Sequence, residues 1–232
     1  PEAIERLPRS VRDRVRQSGN PVRAASPRSR AEARSLFALP ADALVGLVTG
    51  GSQGSLALNE LILQAIEGVV ANGLGRPERL QLLWSAGSKH HDVVAARLAR
   101  LGDPPWVHVL PYIEDMPSAL AAADLAVTRS GAMTTSELLN QGLPAVLVPL
   151  PTATANHQAH NAMALAQAGA AVVVSQAHLT GELLWAEVVR LAEDEATLTD
   201  MRAAALSRAR PDAASEIAAD VERLLATRAG VG

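Results

Sequence analysis

The chain contains no cysteine in its 232 residues. Disulfide frameworks and thiolate metal sites are therefore excluded, and the composition fits a reducing cytosol. Aromatic residues are scarce, 2% of the sequence against 48% hydrophobic residues. The core must then be made of Ala, Leu and Val, as suits helices packed on a parallel sheet. No apolar run approaches the ~18 residues that a membrane span requires. The first residues lack the apolar h-region of a secretion signal, so a soluble protein is expected. With 19% charged residues the composition is globular, and the length suits one large domain or one and a half ordinary ones.

The net charge of −3 is unevenly spread. Residues 1–34 hold nine arginines (Arg6, Arg9, Arg12, Arg14, Arg16, Arg23, Arg28, Arg30, Arg34) against four acids (Glu2, Glu5, Asp13, Glu32). That is a local +5, leaving −8 for the remainder. A basic arm can attract nucleic acid or anionic lipid. No aromatic residue interleaves the arginines for base stacking, which favours a solvated surface segment and no nucleic-acid partner.

Past the arginines, Gly19-Asn20-Pro21-Val22-Arg23 reads as a turn that ends a short strand candidate, Val15–Gln17. A polar helix candidate follows at Ser29–Leu36. From residue 43 apolar runs recur at Leu44–Val48, Leu80–Trp84, Trp106–Leu110, Leu125–Val127, Ala145–Val148 and Ala171–Val174. Between them lie helix-period segments at Leu56–Val70, Lys89–Leu101, Met116–Ala122, Thr134–Asn140 and Asn156–Ala168. Continuous rather than alternating apolar strands imply a parallel sheet covered on both faces. Residues 43–175 are thus expected to form a Rossmann-like, doubly wound α/β domain with six strands. Three C-terminal helices are expected after it, at Leu183–Ala192, Leu198–Ala209 and Ala213–Thr227, with a break at Pro211.

Ligands of open α/β sheets bind outside the carboxyl ends of the strands. Four segments with unusual residues fall there. Thr49-Gly50-Gly51-Ser52-Gln53-Gly54 joins a strand to a helix, and its glycines let backbone approach an anion closely. The spacing fits neither the dinucleotide fingerprint nor a P-loop, and a tight turn without ligand would look similar. Arg129-Ser130-Gly131-Ala132-Met133-Thr134-Thr135-Ser136-Glu137 is a second strand-to-helix turn, aiming amides and a helix dipole at a diphosphate-like anion. Glu137 would repel phosphate and suits instead the two neighbouring hydroxyls of a ribose. The plainer alternative is a helix start with Ser130 as its N-cap.

In the third segment, Pro149 to Asn161, two prolines end a strand and Asn156, His157 and Gln158 open a helix. Those side chains suit sugar hydroxyls, and Asn156 could equally be an ordinary cap. His157 and His160 find no third ligand at a sensible spacing, so no metal is assigned. The fourth, Pro111-Tyr112-Ile113-Glu114-Asp115-Met116, could read a nucleobase with its main chain. Its two acids also read simply as residues favoured at a helix N-terminus. His90-His91 reads as an exposed helix start. No Ser-His-Asp arrangement and no carboxylate couple stands out.

Together with Gly19–Arg23 and Gly142-Leu143-Pro144-Ala145, these segments resemble the MurG family of peptidoglycan N-acetylglucosaminyltransferases, in register from about residue 15 onward. The resemblance implies the donor domain of an inverting GT-B glycosyltransferase, with the reaction in the cleft between two Rossmann-like domains. Such enzymes transfer GlcNAc from UDP-GlcNAc to the C4 hydroxyl of the MurNAc unit of lipid I, giving lipid II. They use no cofactor and no DxD-bound metal. By the same resemblance the main chain at Ile113 pairs with uracil and Glu137 holds the ribose hydroxyls. Ser52 and the turn Ala132, Met133, Thr134, Thr135, Ser136 hold the diphosphate. Gln158, with His157, reads the GlcNAc hydroxyls, and Arg23 belongs to the donor site at the interdomain hinge.

The acceptor domain of that family carries a G-G-T-G-G-H loop, which has no counterpart here. The chain therefore reads as the donor half. Residues 1–22 are expected to be an acceptor-domain remnant and linker, 23–210 the UDP-sugar domain and 211–232 a C-terminal helix. No catalytic residue is assigned, since the base is expected on the other half. Lipid I would be met through that half, and an anionic inner-membrane surface is a further possible partner. The implied location is the bacterial cytoplasm, peripheral on the cytoplasmic face of the membrane. Two alternatives remain at this level: a soluble donor subunit of a two-subunit GlcNAc transferase, and a non-catalytic nucleotide-binding module.

Overall fold

A computed structural model of the chain describes residues 8–12 and 15–229. Arg6 and Arg14 of the basic arm, the first seven residues of the expected remnant, and the last three of the expected C-terminal segment lie outside the described residues. The backbone groups into two compact units. The larger is Arg23–Ala209.

In the larger unit six strands form one sheet: β1 (Leu44–Thr49), β2 (Leu80–Ser85), β3 (Val107–Leu110), β4 (Leu125–Thr128), β5 (Ala145–Leu147) and β6 (Ala171–Val173). Every pairing is parallel, and the order is β3-β2-β1-β4-β5-β6. The expected doubly wound sheet is thus present, with its reversal between β1 and β4. Helices α1 (Arg30–Leu36), α2 (Leu56–Asn72), α3 (His91–Arg100), α4 (Met116–Ala122), α5 (Ala132–Gln141), α6 (His157–Gln167), α7 (Gly181–Ala192) and α8 (Glu195–Ser207) cover it.

The period of two along each strand sends neighbours to opposite faces. Val48, Leu82, Trp84, Val127 and Val146 pack with Leu58, Ile62 and Ile66 of α2 and with Trp185 and Val188 of α7. Val45, Leu47, Leu83, Ala126 and Leu147 face the other core, with Leu120, Leu138 and Leu165. All three tryptophans lie in the first core, Trp106 and Trp185 with ring centroids 5.8 Å apart. Small residues permit close helix contact there: a Cβ on Gly181 would stand 2.6 Å from Leu61 O on α2. Side-chain caps start α2, α4, α7 and α8, from Ser55, Asp115, Thr180 and Asp194 respectively.

The smaller unit comprises the described residues up to Val22 and from Arg210 onward. It contains one helical turn at Arg9–Arg12 and the helix α9 (Ala213–Ala229), and Arg16 pairs with Asp220 on α9. The strand expected at Val15–Gln17 is not formed. Val15 is exposed and no sheet edge pairs with this run, so its apolar residue has nothing to pack on.

Candidate functional site

The turn after β1 and the turn after β4 open on one cavity of about 520 Å³, at the carboxyl edge of the sheet where the strand order reverses. That volume lies in the range of ligand pockets, ~300–1,000 Å³. Thr49, Ser85 and Thr128 are register partners on β1, β2 and β4 and put three hydroxyl-bearing residues along its floor. Leu47, Ala126, Leu120 and Leu138 form an apolar inner wall.

The first turn is shaped by backbone crowding. A Cβ on Gly50 would stand 2.4 Å from Ser55 N. Gly54 crosses Gly87 of the turn after β2, and a Cβ on Gly87 would come within 2.7 Å of both Gln53 O and Gly54 Cα. Only bare backbone fits at this crossing. Ser52 is held exposed on the cavity rim.

The second turn differs from the alternative of a Ser130 cap. Gly131 is the N-cap of α5 and supplies no side-chain acceptor. The Ser130 hydroxyl instead donates to Gln158 O at 2.8 Å, because the chain entering α6 brings that carbonyl within reach. The first bond of α5 runs from Thr135 N to Gly131 O at 2.9 Å. The opening amides of a helix precede its own ladder and attract an anion. Met133 and Thr134 sit there, beside the cavity.

Of the residues expected in the site, Arg23, Ser52, Ala132, Met133, Thr134 and Glu137 line this one cavity. Thr135 is buried, its hydroxyl donating to Gly131 O (3.1 Å) and Ala132 O (3.0 Å). Ser136 is half-buried on the same helix. The Ile113 side chain is buried in the core beneath, while its neighbour Tyr112 reaches the cavity. His157 and Gln158 stand outside the lining. His157 is exposed, with Nδ1 2.7 Å from Thr154 O. Gln158 Oε1 accepts from Leu150 N at 3.0 Å, and Asn161 Nδ2 donates to Ser130 O at 3.0 Å. Asn156 occupies the N-cap position of α6 in a left-handed conformation, without the side-chain cap bond allowed for it above.

Two carboxylates near the site have distinct settings. Burial pushes the pKa of Glu137 up, opposed by the positive charge of Arg23. Arg23 also donates to Glu114 O at 3.2 Å. Asp115 caps α4 by accepting from Ser118 N at 3.1 Å, and its bonds to the Ser118 hydroxyl and amide hold its pKa below the usual carboxylate range.

Sequence reasoning quoted Arg129 without giving it a role. Its guanidinium is buried between the two turns. Nε and Nη2 donate to Ser55 Oγ at 3.1 and 2.9 Å, and Nη1 donates to Val148 O at 2.9 Å and Pro149 O at 3.4 Å. All these acceptors are neutral, and burial lowers the pKa of the group. A buried cation answered only by neutral acceptors leaves net positive potential beside the cavity. The available signal was an arginine inside an apolar-to-glycine turn.

An all-parallel sheet that reverses its strand order over such a cavity defines the class, a Rossmann-like α/β domain. The particular family follows from comparison. Residues 45–217 match the model of the glycosyltransferase family 28 C-terminal domain, and the chain belongs to that family. Among curated relatives, it is 42% identical over 215 residues to the UDP-N-acetylglucosamine–N-acetylmuramyl-(pentapeptide) pyrophosphoryl-undecaprenol N-acetylglucosamine transferase of Burkholderia ambifaria, covering 92% of this chain and 55% of that one. The enzyme of the same name from Salinibacter ruber is 43% identical, with 88% and 53% covered. The chain therefore spans about half the length of the curated relatives it matches. Among solved structures, Acinetobacter baumannii MurG superposes with a TM-score of 0.69 at 33% identity, over 85% of this chain and 54% of that one. A glycosyltransferase of kitacinnamycin follows at a TM-score of 0.54 and 29% identity, over 77% and 43%.

Proposed function

We propose that this chain is the donor-binding half of an inverting transferase that passes GlcNAc from UDP-GlcNAc to lipid I, making lipid II. The names of the relatives support the substrates. The observation that carries the reading is the shared cavity of the two turns, with Glu137 on its wall. In this reading Ser52 and the 132–136 turn hold the diphosphate, Glu137 accepts from the ribose hydroxyls, and the main chain at Ile113 meets uracil. Gln158 and His157 would meet the sugar from the rim; Gln158 keeps its amide N–H groups for that purpose while its oxygen is held by Leu150 N.

The chemistry asked of this half is leaving-group stabilisation. As the bond to the anomeric carbon breaks, negative charge grows on the β-phosphate. Amide dipoles already aimed at that position, with the buried charge of Arg129 behind them, stabilise the transition state more than the ground state. Losing one such donor costs on the order of 10²-fold in rate in comparable sites. The base that takes the acceptor proton would come from a second domain, which would also meet lipid I at the cytoplasmic face of the membrane.

Calorimetry with UDP-GlcNAc, UDP-glucose and NAD tests this reading. UDP-GlcNAc is expected to bind most tightly, and Glu137→Ala to erase the preference for UDP over its 2′-deoxy analogue. A preference for NAD would overturn the proposal.

A further inference from the structure

A second cavity, of about 660 Å³, lies at the opposite, amino-terminal edge of the sheet. It is lined from α1, α8 and the residues just before β1, β2 and β4. Four arginines line it: Arg79 donates to Asp42 O at 2.7 Å, and the other three gather about one carboxylate. Buried Arg34 donates to Asp124 Oδ2 at 2.7 Å and to Ala41 O at 2.6 Å. Arg30 pairs with Oδ1 of the same carboxylate, and Val45 N donates to Oδ2 at 2.8 Å. Asp124 is therefore fully engaged.

The third guanidinium has no such partner. Arg202 shares one face of α8 with Glu195, Leu198 and Thr199, at helical spacing, and all four line the cavity. It is half-buried and makes no hydrogen bond or ion pair with a described residue. Burial disfavours its charge first, the neighbouring charge of Arg30 adds to that, and Asp124 opposes both. Holding a partly desolvated cation beside another is unfavourable unless an anion answers it.

We infer that this cavity is a second anion site, taking a small phosphate-bearing ligand such as inorganic phosphate or a phosphate monoester, with Arg202 as principal donor and Arg30 beside it. A guanidinium fork matches phosphate oxygens in pairs. Glu78, Glu193 and Glu195 stand exposed at the mouth. They offset the charge of the arginines, so a small ion would be held by directed guanidinium bonds rather than by net positive potential, and an extended polyanion such as nucleic acid would be repelled. The site is independent of the donor cleft, which lies at the carboxyl ends of the strands.

The test is calorimetry of the full 232-residue chain with inorganic phosphate, in excess UDP and against chloride at equal ionic strength. One saturable site is expected, weakened about tenfold or more by Arg202→Gln. On the unaltered chain, phosphate is expected to protect Arg202 from phenylglyoxal, read by peptide mass spectrometry, so the outcome does not depend on how the variant folds. Absence of saturable binding, an identical response to chloride, abolition by UDP, undiminished binding by a folded Arg202→Gln chain, or unprotected Arg202 would each overturn the inference.

Discussion

The Arg129 guanidinium closes on the Ser55 hydroxyl across 74 positions of sequence, Nη2 to Oγ at 2.9 Å. Ser55 heads α2 after β1 and Arg129 directly follows β4, so the bond spans the reversal point of the sheet. One hydroxyl serves two elements, accepting also from Leu58 N at 3.4 Å as the cap of α2. The two turns of the cleft are thereby fixed to each other before any ligand arrives.

Removing either partner should therefore loosen both turns. Arg129→Gln leaves the carbonyls of Val148 and Pro149 short of a donor and is expected to cost ~2–4 kcal/mol in urea unfolding. Ser55→Ala, which loses a cap and a half-buried acceptor, is expected to cost ~1–3 kcal/mol. UDP affinity should fall in both. A folded Arg129→Gln chain with unchanged UDP affinity would remove the electrostatic role.

Glu137 sets a pH dependence of defined sign. Its folded pKa is raised by burial above the unfolded value, so the folded state holds its proton to higher pH. Stability then falls as pH rises from the ordinary carboxylate range, about 4, through the raised folded value. Glu137→Gln should melt at higher temperature than wild type at pH 7, and the gap should close below pH ~4. UDP-GlcNAc affinity should show the opposite trend in the wild type, rising as Glu137 ionises to accept from ribose hydroxyls. A melting difference that persists at pH ~3 would contradict the assignment.

Gly87 should prove as important as the glycines of the first turn, though it lies on the turn after β2. Its φ is +90°, and an added Cβ would meet backbone atoms of Gln53 and Gly54 rather than a yielding side chain. Gly87→Ala is expected to cost ~1–3 kcal/mol and to weaken UDP by displacing the turn that carries Ser52. Gly102→Ala, with φ +82° but open space around it, provides the control for backbone strain alone. Equal UDP affinity in the two variants would argue against the crossing as a positioning device.

Ser130→Ala separates sugar from nucleotide. It deletes the 2.8 Å bond to Gln158 O but leaves Gly131 and the start of α5 intact. UDP should bind within about twofold of wild type, while the added affinity contributed by GlcNAc should shrink. A parallel loss for both ligands would mean that the hydroxyl supports the diphosphate turn itself.

Much of this was legible from the chain. The apolar runs after residue 43 are continuous because the central strands β1, β2, β4 and β5 are buried on both faces, and runs of that kind identify themselves. The glycine-bearing turns could be read as well, since close backbone approach requires small residues. Arg129 could not be given a role, because its acceptors stand at Ser55, Val148 and Pro149, remote in sequence. Serine's general preference for N-caps pointed to Ser130, and the carbonyl of Gln158 claimed that hydroxyl instead. Val15–Gln17 looked like a strand locally and lacked only a neighbour to pair with.

Local pattern by itself determined the element types, the two-faced burial of the sheet and the placing of both small-residue turns at strand ends. Those features depend on periodicity and on steric size, which are written in adjacent residues. Tertiary structure alone decided which turns share a cavity, that His157 and Gln158 fall outside its lining, and that Asp124 must answer two arginines at the far end of the strands. Such outcomes depend on strand order and on competition among distant donors for the same acceptor, and no stretch of neighbouring residues encodes either one.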